Sequence, residues 1–160
     1  MGNVWGRLGS SVFGPPRSVV EAVQHYLGES VWDELAYESA DAIRASMVDE
    51  SDFQVSDWWR PPSSRPKGGA QFSQHRLGLA IDLVNVSPDP EKRAREYEAL
   101  AQAFEALGYR VFRPREAALM GEPPHLHVQK LDTRREGVME VIGRVYRELG
   151  GLPGRPGRAR

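Results

Sequence analysis

Three of the four histidines in this chain lie in two short segments that also carry carboxylates. His75 precedes Asp82 in the first segment, and His125 and His127 flank a single leucine in the second. Two imidazoles and one carboxylate are the usual protein ligands of a catalytic zinc, which keeps a further coordination position open for water. These residue types and spacings therefore predict a metal site and make a hydrolase the leading interpretation.

The second segment has the side-chain alternation of a strand. In a strand His125 and His127 share one face, while Leu126 and Val128 point to the other. Two imidazoles on one face are close enough to bind one metal, or to bind a metal and assist the reacting group beside it. Taken alone, this spacing is equally compatible with a coincidental pair on a solvated face.

The first segment places an acid inside an apolar run. Asp82 lies within residues 79–84, where a carboxylate is costly unless it is paired or bound to a metal. Gly78 stands between His75 and this run, and glycine permits a sharp bend of the chain. We expect the bend to bring His75 beside Asp82, so that the two segments complete a three-ligand site. The alternative is a locally capped Asp82 with His75 in a loop.

Composition limits which metal and which chemistry are compatible with the chain. Because there is no cysteine, thiolate ligands, disulfides and a Cys nucleophile are excluded. Nitrogen and oxygen ligands suit one Zn²⁺ ion, with Mn²⁺ or Co²⁺ as alternatives. Hydrolysis also needs a proton acceptor for water and a donor for the leaving amine. Glu122 and His125 are the candidates, and the alternative for Glu122 is an ordinary solvated loop acid.

The surrounding pattern predicts a mixed fold. Helices are predicted over 18–27, 31–47, 90–107 and from 133 onward, and strands over 53–59, 79–84, 109–112 and 125–130. Residues 113–124 are predicted to be a polar loop, and Leu107 is expected to face inward at the end of its helix. Because there is no strict β-α-β alternation, we expect an α+β fold with helices packed on one small, mainly antiparallel sheet.

Length and charge bound the organisation and the partners. We expect a flexible arm over 1–17, a single domain over 18–150 and a disordered tail over 151–160. The net charge of -1 gives no general attraction to nucleic acid or to an anionic membrane. Neither a membrane span nor a secretory signal is recognisable. We therefore expect a protein that is cytoplasmic at synthesis and acts after release or delivery.

The motifs resemble those of a known family. The run Ser73-x-His75-x-x-Gly78-x-Ala80-x-Asp82 resembles the first zinc motif of the D-Ala-D-Ala metallopeptidases, which include phage endolysins. The pair His125-x-His127 resembles the second motif of the wider fold group, which also includes lysostaphin-type peptidases and the hedgehog signalling domain. Val55 to Pro61 and Gly68-Gly69-Ala70 extend the likeness, which covers roughly residues 53–130. The resemblance implies a hedgehog-like zinc peptidase fold.

The resemblance also implies a role for each matching residue. The implied zinc ligands are His75, Asp82 and His127. Glu122 would be general base and acid, with His125 beside it to steady the transition state. The implied substrate-binding residues are Arg60 and Ser73. A guanidinium such as that of Arg60 can hold a carboxylate bidentately, while Ser73 would hydrogen-bond near the substrate or the ligands.

The chain departs from the family pattern at two places. Glu122 and His125 also fit the E-x-x-H form found in many members, in which His125 would be the ligand and His127 the spare. The paired-histidine form favours His127. Asp57 and Trp58 stand where Gly and Tyr are common, and Trp58 is expected to be a core aromatic rather than part of a substrate groove.

The function implied is a zinc peptidase that cleaves the stem peptides of peptidoglycan. It would be a D-Ala-D-Ala carboxypeptidase or an L-Ala-D-Glu-type endopeptidase, in a phage lysis or virion-associated enzyme with virion proteins as possible partners. The alternative is a non-catalytic, zinc-stabilised binding or structural domain of the same fold, such as a component of a phage particle.

Overall fold

The computed structural model describes residues 17–27, 31–58 and 73–130, together with 137, 140, 143–145 and 147. The tail over 151–160 and nearly all of the arm lie outside the described residues, and Arg17 belongs to the first helix instead of the arm. Most of the helix expected from residue 133 also lies outside them, but Val145 is described as helical and fully buried.

Helices and strands follow one another along the chain in a mixed order. The helices are α1 (Arg17–Leu27), α2 (Val31–Ser46), α3 (Pro90–Ala106) and α4 (Pro114–Leu119). The strands are β1 (Phe53–Asp57), β2 (Ala80–Asn85), β3 (Arg110–Phe112) and β4 (Leu126–Gln129). Single 3₁₀ turns, Glu50–Asp52 and Gln74–Leu77, precede β1 and β2. Within the described ranges, no helix is both long enough and apolar enough to cross a membrane.

The strands form one antiparallel sheet in the order β1-β2-β4-β3. The β1–β2 register shifts between Val55 and Asp57, so that Val55 pairs with Leu83 and Asp57 pairs with Asp82. The described chain is therefore α+β with a small antiparallel sheet, which confirms the predicted fold class.

The sheet buries one face under α2 and α3. Ile81 and Leu83 of β2 and Val128 of β4 belong to a single apolar cluster with Leu100 and Phe104 of α3. Burying a side chain of this size contributes about 1.5–3 kcal/mol, so these contacts fix the sheet on the helices. Side chains alternate along a strand, and the residues between these apolar positions therefore lie on the opposite face.

The start of α3 carries the expected signals, while its end differs from the expectation. The Asp89 side chain accepts hydrogen bonds from the backbone N–H groups of Glu91 and Lys92, and Pro90 is the first helical residue. The expectation for Leu107 is wrong: this residue is the C-cap, beyond the last helical residue, and it is 42% exposed.

The prediction of a polar loop over 113–124 is also wrong, because α4 lies within it. Pro114 is the first residue of α4, and the Glu116 carboxylate accepts a hydrogen bond from the backbone N–H of Arg113 at 3.2 Å. Ala117 is buried, and the chain leaves the helix through Gly121 at φ 76°. Six residues are too few to show a helical period, although Pro at the start and Gly after the end are helix signals.

Candidate metal centre

One row of directly paired residues crosses the sheet at the level of the predicted site. Asp57 of β1 pairs with Asp82 of β2, Asp82 pairs with His127 of β4, and His127 pairs with Phe112 of β3. Residues directly opposite in an antiparallel pair place their side chains on the same face. Asp82 and His127 are therefore neighbours through strand register, although they are 45 residues apart in the chain.

A capped 3₁₀ turn brings His75 to the same place. The Ser73 hydroxyl accepts a hydrogen bond from the backbone N–H of His75 at 3.2 Å and begins the turn. Gly78 ends the turn in the left-handed region at φ 70°, and its N–H is directed at the carbonyls of Gln74 and His75. The expected bend at Gly78 is confirmed, since His75 Nε2 lies 3.1 Å from Asp82 Oδ1.

Trp58 holds this turn from two directions. Its indole Nε1 donates to the carbonyl oxygen of Gly78 at 3.1 Å, and its own carbonyl oxygen accepts from His75 Nδ1 at 2.9 Å. Trp58 is buried and belongs to the apolar core, which confirms that it is a core aromatic. His75 is only 2% exposed, so the Trp58 contacts fix a ring that has almost no freedom to turn.

Three potential ligand atoms converge at the end of this arrangement. His75 Nε2 is 3.1 Å from Asp82 Oδ1 and 3.2 Å from His127 Nδ1, and His127 Nδ1 is 2.8 Å from Asp82 Oδ1. Ligands about 2.0–2.1 Å from a tetrahedral zinc lie roughly 3.3 Å from one another. The triangle is close to this size, and His75, Asp82 and His127 can together hold a metal ion.

Proton placement shows why a cation suits this triangle. The Trp58 carbonyl can only accept, so His75 carries its proton on Nδ1 and keeps a lone pair on Nε2. His127 Nε2 is 3.0 Å from Oε1 of Gln129, which likewise leaves the lone pair of His127 on Nδ1. Both neutral rings then point lone pairs at a carboxylate oxygen. Three acceptors with no hydrogen between them repel one another unless a cation or an added proton lies among them.

Gln129 is a site residue that the sequence reasoning missed. It is 6% exposed and lies two positions after His127 on the same face of β4. Strand alternation was the signal that could have identified it, because residues at i and i+2 share a face. A polar partner on the outer nitrogen of a metal-binding histidine fixes the tautomer and the orientation of the ring.

The charge of Asp82 is favoured by the two rings. Burial by itself raises the pKa of the Asp82 carboxyl, but hydrogen bonds from His127 and His75, made when the added proton lies between a ring and the carboxylate, outweigh it and hold this pKa well below its usual range. A carboxylate that stays ionised in a largely enclosed position is the form that binds a metal cation.

Glu122 and His125 lie beside the triangle. His125 precedes β4, and its Nδ1 donates to the carbonyl oxygen of Pro123 at 2.8 Å. Its Nε2 is then directed to the site, 3.5 Å from Glu122 Oε2 and 3.6 Å from Asp82 Oδ1. The Glu122 side chain is 32% exposed, so water can reach its carboxylate.

The two predicted substrate-binding residues have different outcomes. Ser73 lies at the site, where its hydroxyl caps the turn that carries His75, and contact with a substrate stays a prediction. Arg60 lies outside the described residues.

Comparisons with known proteins identify no relative of this chain. No protein-family model, no curated protein and no solved structure matches the chain. The resemblance to the D-Ala-D-Ala metallopeptidases therefore rests on the motifs alone, and a hedgehog-like form of the α+β fold stays a prediction.

Proposed function

We propose that this chain is a zinc-dependent peptidase that hydrolyses the stem peptides of peptidoglycan. The observation that carries the proposal is the triangle of acceptors His75, Asp82 and His127 with Glu122 and His125 beside it. The geometry supports metal-assisted hydrolysis, while the peptidoglycan substrate and the hedgehog-like fold are supported by the motif resemblance.

Zinc is the metal that this ligand set favours. Two imidazole nitrogens and one carboxylate oxygen, without sulfur, form a common catalytic zinc set. When bound, the metal supplies Lewis acidity, which polarises a peptide carbonyl and makes a water more acidic. All three protein ligands come from the sheet face and the adjoining turn.

Glu122 has the properties needed for proton transfer. Its backbone N–H donates to the carbonyl oxygen of Ala117 at 3.0 Å, so the last turn of α4 fixes where the side chain starts. The partly exposed carboxylate accepts a proton from the attacking water and passes it to the leaving amine. General acid–base transfer of this kind contributes about 10²–10⁴-fold to rate.

His125 is placed to assist the same step. Its Nδ1 is committed to the Pro123 carbonyl, so only Nε2 is free to act at the site. In the protonated ring, Nε2–H donates to the carbonyl oxygen that gains negative charge as water attacks. A donor held in advance at the site of developing charge lowers the barrier without reorganising.

The first test is digestion of purified peptidoglycan by the zinc-loaded protein, with and without a chelator, followed by mass analysis. We expect soluble products that disappear when zinc is removed. Released alanine would identify a carboxypeptidase acting on D-Ala-D-Ala, and a cut between stem residues would identify an endopeptidase. No product from protein shown to contain zinc contradicts the proposal and favours a zinc-stabilised binding or structural domain.

Glu122→Gln separates metal binding from turnover. The variant is expected to retain zinc, because Glu122 is outside the triangle, and to lose about 10²–10⁴-fold in hydrolysis rate. Glu91→Gln, on the exposed first turn of α3, is the matched control and should retain full activity. Full activity of Glu122→Gln would remove the proton-transfer role assigned to this residue.

A further inference from the structure

Arg110 and Phe112, on β3, lie beside the candidate metal centre and have no role in the mechanism above. We propose that they form a subsite in which Arg110 binds a carboxylate of the substrate. This inference rests on the proposed peptidase function and specifies which substrates the site prefers, namely acidic peptides over their amides.

Strand register places both residues on the face that carries the site. Phe112 is directly opposite His127, and Arg110 is directly opposite Gln129. Opposed residues share a face, and residues two apart in a strand share it as well. The Phe112 ring lies 5.5 Å from the His127 ring, centroid to centroid. β3 therefore flanks the triangle on the side opposite β2.

The Arg110 side chain is held over Phe112. The guanidinium carbon lies 4.9 Å from the centroid of the Phe112 ring, which is a favourable cation–π distance. Stacking leaves the N–H groups around the edge of the guanidinium plane available to an anion. It also restricts the long side chain before a ligand arrives, so less conformational entropy is lost on binding.

Arg110 also differs from its neighbour Arg113 in its ion pairs. Arg113 is bound to Glu98 and Glu105 through contacts of 2.9 and 2.6 Å. Among the residues that the structure describes, no carboxylate forms an ion pair with Arg110. Its capacity for a bidentate carboxylate contact therefore remains available next to the site.

The distances suit a substrate that spans the two features. The guanidinium lies at most about 10 Å from the centre of the His127 ring, and an extended peptide of up to about three residues covers such a distance. A carboxylate close to the scissile bond, at the chain terminus or on a side chain, therefore reaches Arg110 while the carbonyl lies at the triangle. β3 is the last strand in the sheet order, and no further described strand covers its outer edge.

The test measures binding of two peptides, N-acetyl-L-Ala-D-Glu and diacetyl-L-Lys-D-Ala-D-Ala. Each peptide is used as the free acid and as the amide in which every carboxyl group is amidated. Zinc-loaded Glu122→Gln protein prevents turnover during the measurement, and Arg110→Gln is added to that background. We expect at least one acid to bind more tightly than its amide, and Arg110→Gln to weaken that acid by about 10-fold without changing the amide. Zinc content should not change.

Two further variants sharpen the result. Arg110→Lys keeps the charge but loses the planar fork, so it should restore only part of the preference for the acid. Arg95→Gln removes an exposed arginine of α3 and should leave the preference intact. An unchanged preference in Arg110→Gln, or no preference in the parent protein, overturns the subsite.

The outcome is separable from that of the proposed function. If protein with Glu122 intact cleaves peptidoglycan and Arg110→Gln retains the acid preference, the subsite fails and the peptidase stands. If the protein with Glu122 intact does not cleave peptidoglycan, and the acid preference nevertheless depends on Arg110, the peptidase fails and the carboxylate subsite stands.

Discussion

In His75 and His127, the ring nitrogen that faces away from Asp82 has a hydrogen-bond partner, and this partner determines the orientation of the ring. The Trp58 carbonyl holds His75, and the Gln129 side chain holds His127, so the remaining ring nitrogens face Asp82. The first partner belongs to the main chain and cannot be removed by substitution. The second can be changed, which allows its contribution to be measured.

Gln129→Leu is expected to weaken zinc binding by about 10–100-fold, the usual cost of removing the partner of a metal-binding histidine. Leucine keeps the volume of this buried side chain but accepts no hydrogen bond from His127 Nε2. Gln129→Glu keeps an acceptor at the same position and should retain tight binding. Competition with a chromophoric chelator measures the affinity, and thermal unfolding of the metal-free variants checks that both remain folded. Equal zinc affinity in Gln129→Leu and the unmodified protein would exclude this role.

The elements differ in how well the sequence predicts them. The strand alternation and the bend at Gly78 predicted that His75 and Asp82 meet the histidines of the second segment, and the motif resemblance favoured His127 over His125 as the third ligand. The caps of α3 were predictable because Asp89 and Pro90 act through adjacent backbone groups. The helix α4 and the positions of Arg110 and Gln129 were not predicted. The helix α4 is too short to show a helical period in its apolar residues. The positions of Arg110 and Gln129 depend on the β3–β4 register, which is set by packing between separate segments of the chain.

The helix α4, which the sequence did not predict, fixes the position of Glu122. At the end of α4 the N–H of Gly121 donates to Ala118 and that of Glu122 donates to Ala117, so the chain reverses through Gly121 at φ 76°. An added Cβ at Gly121 meets no atom within 4 Å, and the backbone angle is therefore the whole cost of a substitution. A non-glycine residue in this region costs about 1–2 kcal/mol.

Gly121→Ala is expected to lower the free energy of unfolding by about 1–2 kcal/mol and to reduce turnover, because relief of strain shifts Glu122. Gly137→Ala is a matched control. Gly137 has φ 82° and equally open space, and it adjoins no site residue in the chain. Urea unfolding should show a similar loss of stability in both variants, with reduced hydrolysis only in Gly121→Ala. Equal turnover in the two variants would show that α4 does not position Glu122.

At the scale of the whole molecule, the metal centre joins distant parts of the chain. His75 comes from the turn before β2, Asp82 from β2 and His127 from β4, and the two histidines are 52 positions apart in the chain. The unfolded chain does not hold these three groups together, so a metal that binds them stabilises the folded state.

Zinc is therefore expected to raise the unfolding temperature. At a free zinc concentration of 100 times Kd the stabilisation is about 2.7 kcal/mol, or roughly 5–10 °C for a domain of this size. Thermal scans with zinc and with a chelator measure the difference. Asp82→Asn should lose most of the shift, since the neutral amide is a poor metal ligand. An unfolding temperature that is independent of zinc contradicts a site formed by the folded chain.

The most direct measurement is the zinc content of the purified protein and of its single-histidine variants, determined by elemental analysis after equilibration with zinc. We expect one zinc ion per chain in the unmodified protein and in His125→Ala, and almost none in His75→Ala or His127→Ala. This pattern assigns His127 to the metal and leaves His125 for the chemistry. Retention of zinc by His127→Ala together with its loss from His125→Ala would contradict a metal centre formed by His75, Asp82 and His127.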